Sequence, residues 1–142
     1  MARVLVVDDD RPIRELLRII LELEGYDVAL AEDGVAALEF LTRASVPWVV
    51  LMDVMMPYLG GVEVCRRLHA AGPRVCQHQI ALMTAGMLEE DECPALAHVL
   101  LRKPFDVDRA VSVVDQLAHE LEIAGDALAG QPAGVAPLAA AS

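Results

Sequence analysis

The chain has 142 residues, enough for one domain with a substantial core, and carries 22 acidic against 11 basic side chains, a formal net charge of −11. This balance argues against direct DNA binding, because a nucleic-acid surface needs a cationic footprint. The hydrophobic fraction is 56%, but no run approaches the roughly 18 apolar residues of a membrane span and no signal peptide precedes the first acidic residues, so we expect a cytoplasmic protein that does not bind membranes.

The first third of the chain sets the pattern of the predicted elements. Residues 4–7 form an apolar, β-branched run ended by three aspartates, which predicts a strand buried on both faces. A helix follows, with Asp10 as its cap, Pro12 in its first turn and Gly25 at its end. Its core-facing stripe is predicted to consist of Ile13, Leu16, Leu17 and Ile20.

The remaining elements repeat this alternation of strand and helix. Further strands are predicted at 28–31, 48–52, 80–83 and 99–101. Helices are predicted at 35–41, at 62–70, as a short helix around Pro94, and after the capping residue Asp106. Five strands alternating with five helices predict an α/β fold, a doubly wound five-stranded parallel sheet with helices on both faces. We expect this domain to occupy residues 1–124 and the Gly-, Ala- and Pro-rich residues 125–142 to form a flexible tail.

Polar side chains follow four of the predicted strands at their carboxyl ends, where open parallel sheets bind ligands. They are Asp8 and Asp9 after the first strand, Asp53 after the third, Thr84 after the fourth and Lys103 after the fifth. Three carboxylates that converge repel one another, and Mg²⁺ relieves that repulsion. A hydroxyl and an ammonium group opposite them suit the oxygens of a phosphoryl group during transfer.

The composition of the cations singles out one of these residues. Ten of the eleven basic residues are arginines, and Lys103 is the only lysine in the chain. A compact ammonium group binds a phosphoryl oxygen as a point charge, whereas the planar guanidinium fork of Arg has a different shape. A single retained lysine therefore indicates a site that requires lysine.

Four fragments in order carry a family resemblance: V-V-D-D-D, L-M-D-V-M-M-P, A-L-M-T-A and R-K-P-F. Each lies at a predicted strand end, and together they resemble the receiver domain of bacterial two-component response regulators, a CheY-like family. The resemblance covers roughly residues 3–123. It implies a flavodoxin-like (βα)5 fold with the strand order 2-1-3-4-5.

The resemblance also implies the roles of the acidic residues. Asp53 would accept a phosphoryl group from the phosphohistidine of a sensor histidine kinase or phosphotransfer protein. Asp9, Asp53 and the backbone carbonyl of Met55 would bind Mg²⁺ directly, with Asp8 acting through water. Thr84 would hydrogen-bond the phosphoryl group. The protein would then signal through a downstream protein target or output domain, without being an enzyme.

The lysine and the first helix carry further implications. Lys103 would pair with the phosphoryl group, and a cis peptide bond before Pro104 would orient it. The stripe of Arg11, Arg14 and Arg18 is predicted to face solvent, either as an ordinary exposed face or as a docking surface for the kinase. Ile19 and Leu23, off the core stripe, suggest an interface but do not identify the partner. A homodimer is compatible with the sequence.

Two features depart from the family pattern. One is the spacing from Thr84 to Lys103, which at 19 residues is about three shorter than usual and contains Pro94, so the fourth helix should be short or irregular. The other is Leu100, which occupies the switch position that is commonly aromatic, so output through that side chain cannot follow the usual route. Met55 and Gly86 occupy the two positions that tune removal of the phosphoryl group by water. Neither side chain can orient an attacking water, so we expect a slowly hydrolysing phosphoaspartate.

Two other functions are compatible with parts of the pattern. Asp8-x-Asp10 after a first strand also opens haloacid-dehalogenase-type phosphatases, which use an Asp nucleophile and Mg²⁺. Such enzymes need a cap and a later acidic pair that this chain lacks. The second alternative is a pseudo-receiver that binds partners without phosphorylation, against which the complete set of five site residues argues.

Overall fold

The computed structural model describes residues 2–73, 77–85 and 97–129. Its five strands are β1 (Arg3–Val7), β2 (Asp27–Ala31), β3 (Val49–Asp53), β4 (Gln79–Thr84) and β5 (Ala97–Arg102). The helices of these three segments are α1 (Arg11–Leu23), α2 (Gly34–Arg43), α3 (Gly61–Ala70) and α4 (Val107–Ala129). Among these segments, no helix is both long enough and apolar enough to span a membrane.

The five strands form one parallel sheet in the order β2-β1-β3-β4-β5. This confirms the predicted fold class and strand order. β1 lies between β2 and β3, so the chain reverses its direction of travel across the sheet after β2. The carboxyl ends of β1 and β3 are adjacent, and Val7 pairs with Met52 immediately before their terminal aspartates. Loops that leave these two strands therefore meet at one edge.

Side chains of β1 alternate between two apolar cores, one on each face of the sheet. Val4 and Val6 pack in the core under α1 and α4, whereas Leu5 and Val7 pack in the core under α2 and α3. Every residue of β3 is buried. Burial on both faces explains why the strand segments are continuous apolar runs, since neither face of the sheet meets water.

The ends of α1 are set by local backbone chemistry. Gly25 adopts a positive φ of 95°, its N–H donates to the carbonyl of Glu22, and the N–H of Tyr26 donates to the carbonyl of Leu21. This pair of bonds is a Schellman motif, as the predicted stop at Gly25 requires. Asp10 occupies the N-cap position, but its side chain makes no capping hydrogen bond, so its predicted capping role is wrong in that respect.

The predicted core stripe of α1 is only partly correct. Leu17 and Leu21 are the buried residues of the helix, while Ile13 is half-buried against the same core. Leu16 is 54% exposed, so its assignment to the core was wrong. The buried face is centred on Leu17 and Leu21, one turn apart, and Leu16 lies on the flank of that face.

The last described segment of the chain ends in a long helix, α4. The side chain of Asp106 accepts a hydrogen bond from the N–H of Arg109, which confirms its predicted capping role. α4 continues to Ala129, so residues 125–129 of the predicted tail are helical, in keeping with the high helix propensity of Ala and Leu. The predicted short helix around Pro94 and residues 130–142 lie outside the described residues.

Candidate functional site

Three carboxylates meet at the carboxyl edge of the sheet. Asp8 and Asp9 directly follow β1, and Asp53 is the last residue of β3. One carboxylate oxygen from each lies within 4.8 Å of the others. Asp8 is fully buried, Asp53 is buried and Asp9 is exposed, so the cluster has a closed side and a side open to solvent.

Lys103 connects two of these carboxylates. Its Nζ lies 3.2 Å from Oδ2 of Asp8 and 3.2 Å from Oδ2 of Asp53. The backbone N–H of Lys103 donates to the carbonyl of Thr84 at 2.7 Å, which ties the loop after β5 to the end of β4. The peptide bond between Lys103 and Pro104 is cis, as the resemblance implied.

Opposing effects set the pKa values of Asp8 and Lys103. Burial raises the pKa of Asp8 above its ordinary value. The N–H of Asp10, which donates to Oδ1 at 2.9 Å, and the ammonium of Lys103 lower this pKa, but by less. Burial lowers the pKa of Lys103, but the carboxylates of Asp8 and Asp53 outweigh it, so that pKa is raised overall. Lys103 is therefore a cation at neutral pH, held between two carboxyl groups.

The donor set fits a small hard cation. Three carboxylates on two neighbouring strand ends supply only oxygen atoms, the ligands that Mg²⁺ prefers, and Asp9 lies on the side open to solvent. The backbone N–H of Met55 donates to Oδ1 of Asp53 at 3.3 Å, so this residue lies beside the cluster in the loop after β3. The Met55 side chain is exposed. Gly86 lies outside the described residues.

Thr84 is buried at the carboxyl end of β4. Asp53 pairs in register with Met83, the residue before Thr84, so the two predicted site residues occupy successive levels on neighbouring strands. Leu100, at the predicted switch position, is half-buried on β5 and pairs in register with Leu82. It packs against the core under α2 and α3.

Gly61, the first residue of α3, packs against the backbone of Asp53. A Cβ added to Gly61 would lie 2.6 Å from the carbonyl oxygen of Asp53, closer than carbon and oxygen approach without a shift of backbone. The N–H of Gly61 donates to the carbonyl of Val54 at 3.1 Å. The start of α3 therefore lies directly on the end of β3, which only a residue without a side chain allows.

The arginine stripe of α1 does not have the predicted uniform exposure. Arg18 is held by Glu15 at 2.7 Å and Glu22 at 3.2 Å on its own helix. Arg14 is half-buried, and its Nη1 donates to the backbone carbonyl of Asp8 at 2.7 Å. The prediction that Arg14 faces solvent is wrong, because its long side chain folds back over the turn between β1 and α1.

An apolar groove of about 480 Å³ opens beside Lys103. One wall comes from α1, and the other comes from the segment after β5 and the start of α4. Its apolar lining includes Ile13, Leu16, Ile20, Pro104, Phe105 and Val107. The exposure of Leu16 is explained by this position, because its side chain borders the groove rather than the core.

Comparisons with known proteins find matches over most of the chain. A family model described as "Response regulator receiver domain" matches residues 4–115. The chain is similar to "Response regulator MprA" of Mycobacterium sp. (strain KMS), with 54% identity over 113 residues, 78% of this chain and 47% of the relative. It therefore spans about half the length of the curated relatives it matches.

Solved structures give the same result for the fold. The receiver domain of a Francisella response regulator has a TM-score of 0.75 and 27% identity, covering 84% of this chain and 98% of that chain. The response regulator TrrA from Thermotoga maritima, solved in complex with Mg²⁺-BeF, has a TM-score of 0.70 and 33% identity, covering 82% of this chain and 99% of that chain.

Proposed function

Because the chain belongs to the response regulator receiver domain family, we propose that it accepts a phosphoryl group on Asp53 from the phosphohistidine of a histidine kinase or phosphotransfer protein. The observation that carries the proposal is the meeting of Asp53, Lys103, Asp8 and Asp9 at one sheet edge. The Mg²⁺-BeF complex of the similar response regulator supports it. We propose that the transfer takes place in the cytoplasm.

In the transfer, a carboxylate oxygen of Asp53 attacks the phosphorus atom. The P–N bond to the donor imidazole breaks, its electron pair stays on that nitrogen, and an acyl phosphate forms on Asp53. Lys103, already 3.2 Å from Oδ2 of Asp53, compensates the negative charge of the phosphoryl oxygens without moving far. The buried hydroxyl of Thr84 supplies a hydrogen-bond donor from the next strand.

A bound Mg²⁺, held by Asp8, Asp9, Asp53 and the Met55 carbonyl, would supply further positive charge to the phosphoryl oxygens. The chain itself contributes the placement of the groups. β1 and β3 hold the carboxylates on adjacent strand ends, and burial of Asp8 keeps water from one side of the cluster. The open side at Asp9 leaves room for the donor.

The kinase or phosphotransfer protein is proposed to dock on the apolar groove beside Lys103. α1 forms one wall of the groove and also carries the exposed Ile19, so an amphipathic helix of the partner could bury its apolar face there. Arg14 and Arg18 are engaged within the chain, which leaves Arg11 as the cation of the stripe best placed to contact the partner. Docking here would bring the donor histidine to the edge that carries Asp53.

Output is proposed to follow from phosphorylation of Asp53, through a downstream protein or an output domain. Leu100 offers no aromatic ring for rotation, so the loop that carries Lys103 and the end of β4 are the elements best connected to the phosphoryl group. Lys103 contacts both Asp53 and Thr84, and Thr84 is the last residue of β4. A change in their position would alter the surface that a partner recognises.

One experiment separates this function from a phosphatase. The protein is incubated with acetyl phosphate and Mg²⁺, with and without EDTA, and analysed by intact mass while release of phosphate from a generic phosphate ester is followed in parallel. We expect one phosphoryl group per chain, dependent on Mg²⁺, and no turnover of the ester. Continuous ester hydrolysis would support the phosphatase alternative, and a chain that no donor phosphorylates would be a pseudo-receiver.

A further inference from the structure

Arg14 spans the turn that carries two of the candidate magnesium ligands. Its guanidinium Nη1 donates to the backbone carbonyl of Asp8 at 2.7 Å, and its own backbone N–H donates to the carbonyl of Asp10 at 3.0 Å. The backbone bond is the regular helical one, so the contact that depends on the arginine side chain is the bond to the Asp8 carbonyl, next to Asp9. The carboxylate of Asp8 adds a third tie, since its Oδ1 accepts from the N–H of Asp10 at 2.9 Å.

Asp9 depends on these ties because its own side chain is unsupported. Its carboxylate is exposed, and within residues 2–73, 77–85 and 97–129 it makes no hydrogen bond or ion pair. Its place in the cluster follows from the backbone of residues 8–10. We propose that Arg14 is a positioning residue for magnesium: it fixes that backbone so that Asp9 points toward Asp53.

This role differs in sign from a purely electrostatic one. A guanidinium near three carboxylates repels a divalent cation, so removal of its charge alone would strengthen Mg²⁺ binding. Loss of a residue that orients a metal ligand weakens binding, typically by at least about tenfold. The direction of the change in Mg²⁺ affinity therefore separates the two roles. The inference rests on the proposed function, because it concerns the cation of the same site.

The test measures Mg²⁺ binding directly, by isothermal titration calorimetry of the full chain without a phosphodonor. Arg14→Gln is compared with Arg18→Gln, a matched control that removes the same charge one turn further along α1, where Arg18 is hydrogen-bonded to Glu15 and Glu22. We expect about tenfold weaker binding for Arg14→Gln. Arg18→Gln should bind Mg²⁺ as tightly as the wild type or slightly more tightly.

A second measurement needs no metal. Hydrogen exchange of the Asp10 amide, which donates to Asp8 in the turn, should accelerate in Arg14→Gln and in Arg14→Lys, because the ammonium cannot reproduce the reach and planar geometry of the guanidinium. Arg14→Lys keeps the charge and a long side chain, so it replaces Arg14→Gln in both measurements if that variant does not fold. We expect its Mg²⁺ affinity to fall as well.

The outcomes separate the two levels of the account. Equal or tighter Mg²⁺ binding in Arg14→Gln, with unchanged exchange at Asp10, would overturn the positioning role and leave the proposed function intact. A wild-type chain that binds no Mg²⁺ would overturn the magnesium site and the positioning role together. Weaker binding confined to the two Arg14 variants supports the inference.

Discussion

Lys103 and Asp53 lie fifty positions apart in the sequence, and their Nζ and Oδ2 atoms are 3.2 Å apart at the edge of the sheet. The same ammonium is 3.2 Å from Oδ2 of Asp8. Lys103 is thus hydrogen-bonded to two of the three carboxylates that could bind a metal ion. Binding of Mg²⁺ and the position of Lys103 are therefore coupled.

Replacement of Lys103 should affect metal binding and phosphorylation in opposite directions. The ammonium of Lys103 and a divalent cation in the carboxylate cluster repel each other, and salt and solvent screen this repulsion. We expect Lys103→Met to bind Mg²⁺ about tenfold more tightly in calorimetry and to accept phosphate from acetyl phosphate much more slowly. Weaker Mg²⁺ binding in this variant would contradict the coupling.

Asp8→Asn should stabilise the protein in the absence of metal. Because burial raises the pKa of Asp8, its ionised form is less favourable in the folded chain than in the unfolded one. The stability linked to this group is present below pH 3.8 and lost as the pH rises through the folded-state pKa, so the charged group destabilises the fold at neutral pH. Thermal unfolding in EDTA should show a higher midpoint for Asp8→Asn.

Asp9→Asn is the matched control for this measurement. Asp9 carries the same charge in the same cluster but is exposed, so neutralising it should raise the midpoint less. Addition of Mg²⁺ should stabilise the wild type and stabilise Asp8→Asn to a smaller extent, since one carboxylate of the cluster has been removed. Equal midpoints for all three proteins in EDTA would show that burial of Asp8 carries no such cost.

Gly61→Ala should slow phosphorylation beyond any effect on stability. The added Cβ would lie 2.6 Å from the Asp53 carbonyl oxygen, so the end of β3 must shift, at a cost of about 1–3 kcal/mol. Gly34→Ala is the control, because its Cβ would lie 2.0 Å from the carbonyl oxygen of Leu59. Leu59 lies in the loop between β3 and α3, so this clash disturbs the same loop without touching Asp53. A rate of acetyl-phosphate labelling that is reduced equally in both variants would argue against a specific effect at Asp53.

A buried histidine links stability to pH. Nδ1 of His78 accepts the N–H of Trp48 at 3.0 Å, so Nε2 carries the proton and donates to the carbonyl of Leu41 at 3.1 Å. Burial lowers the pKa of His78, with the bond to Leu41 acting in the other direction. A lowered histidine pKa stabilises the fold above pH 6.5, and that stability is lost as the pH falls through the folded-state value.

Urea unfolding measured from pH 7.5 downward through the range of histidine titration, about 6.5 and below, checks this directly. We expect the free energy of unfolding to fall with pH in the wild type and to fall less steeply in His78→Gln, although that variant is less stable throughout. His98 also has a pKa lowered by burial, so His98→Gln serves as the comparison. If the free energy of unfolding of His78→Gln depended on pH as steeply as that of the wild type, His78 would not be the source of the pH dependence.

The fold was largely predictable because strand burial leaves a direct trace in the sequence. Continuous apolar runs such as residues 4–7 arise where both faces of the sheet are covered, and an aspartate marks the carboxyl end of β1 and of β3. The predicted parallel sheet and its strand order are confirmed. Convergence of Asp8 and Asp53 follows from the adjacency of β1 and β3, whereas Lys103 reaches them across β4 from the loop after β5.

The predictions from the sequence were wrong or incomplete where a side chain makes a contact that helical periodicity does not predict. Leu16 fits the helical stripe but borders the groove, because the packed face of α1 is narrower than its apolar face. Arg14 lies six residues after Asp8, across a turn, and no regular spacing relates the two. Gly61 packs against Asp53 because of how α3 returns to the sheet, which no local sequence pattern specifies.

The most direct measurement locates the phosphoryl group. The wild-type chain and Asp53→Asn are treated with acetyl phosphate and Mg²⁺, and the products are analysed by intact mass and by peptide sequencing in the mass spectrometer. The account predicts one phosphoryl group on the wild type, assigned to Asp53, and none on Asp53→Asn. An adduct of equal stoichiometry on Asp53→Asn, or one assigned to another residue in the wild type, would contradict it.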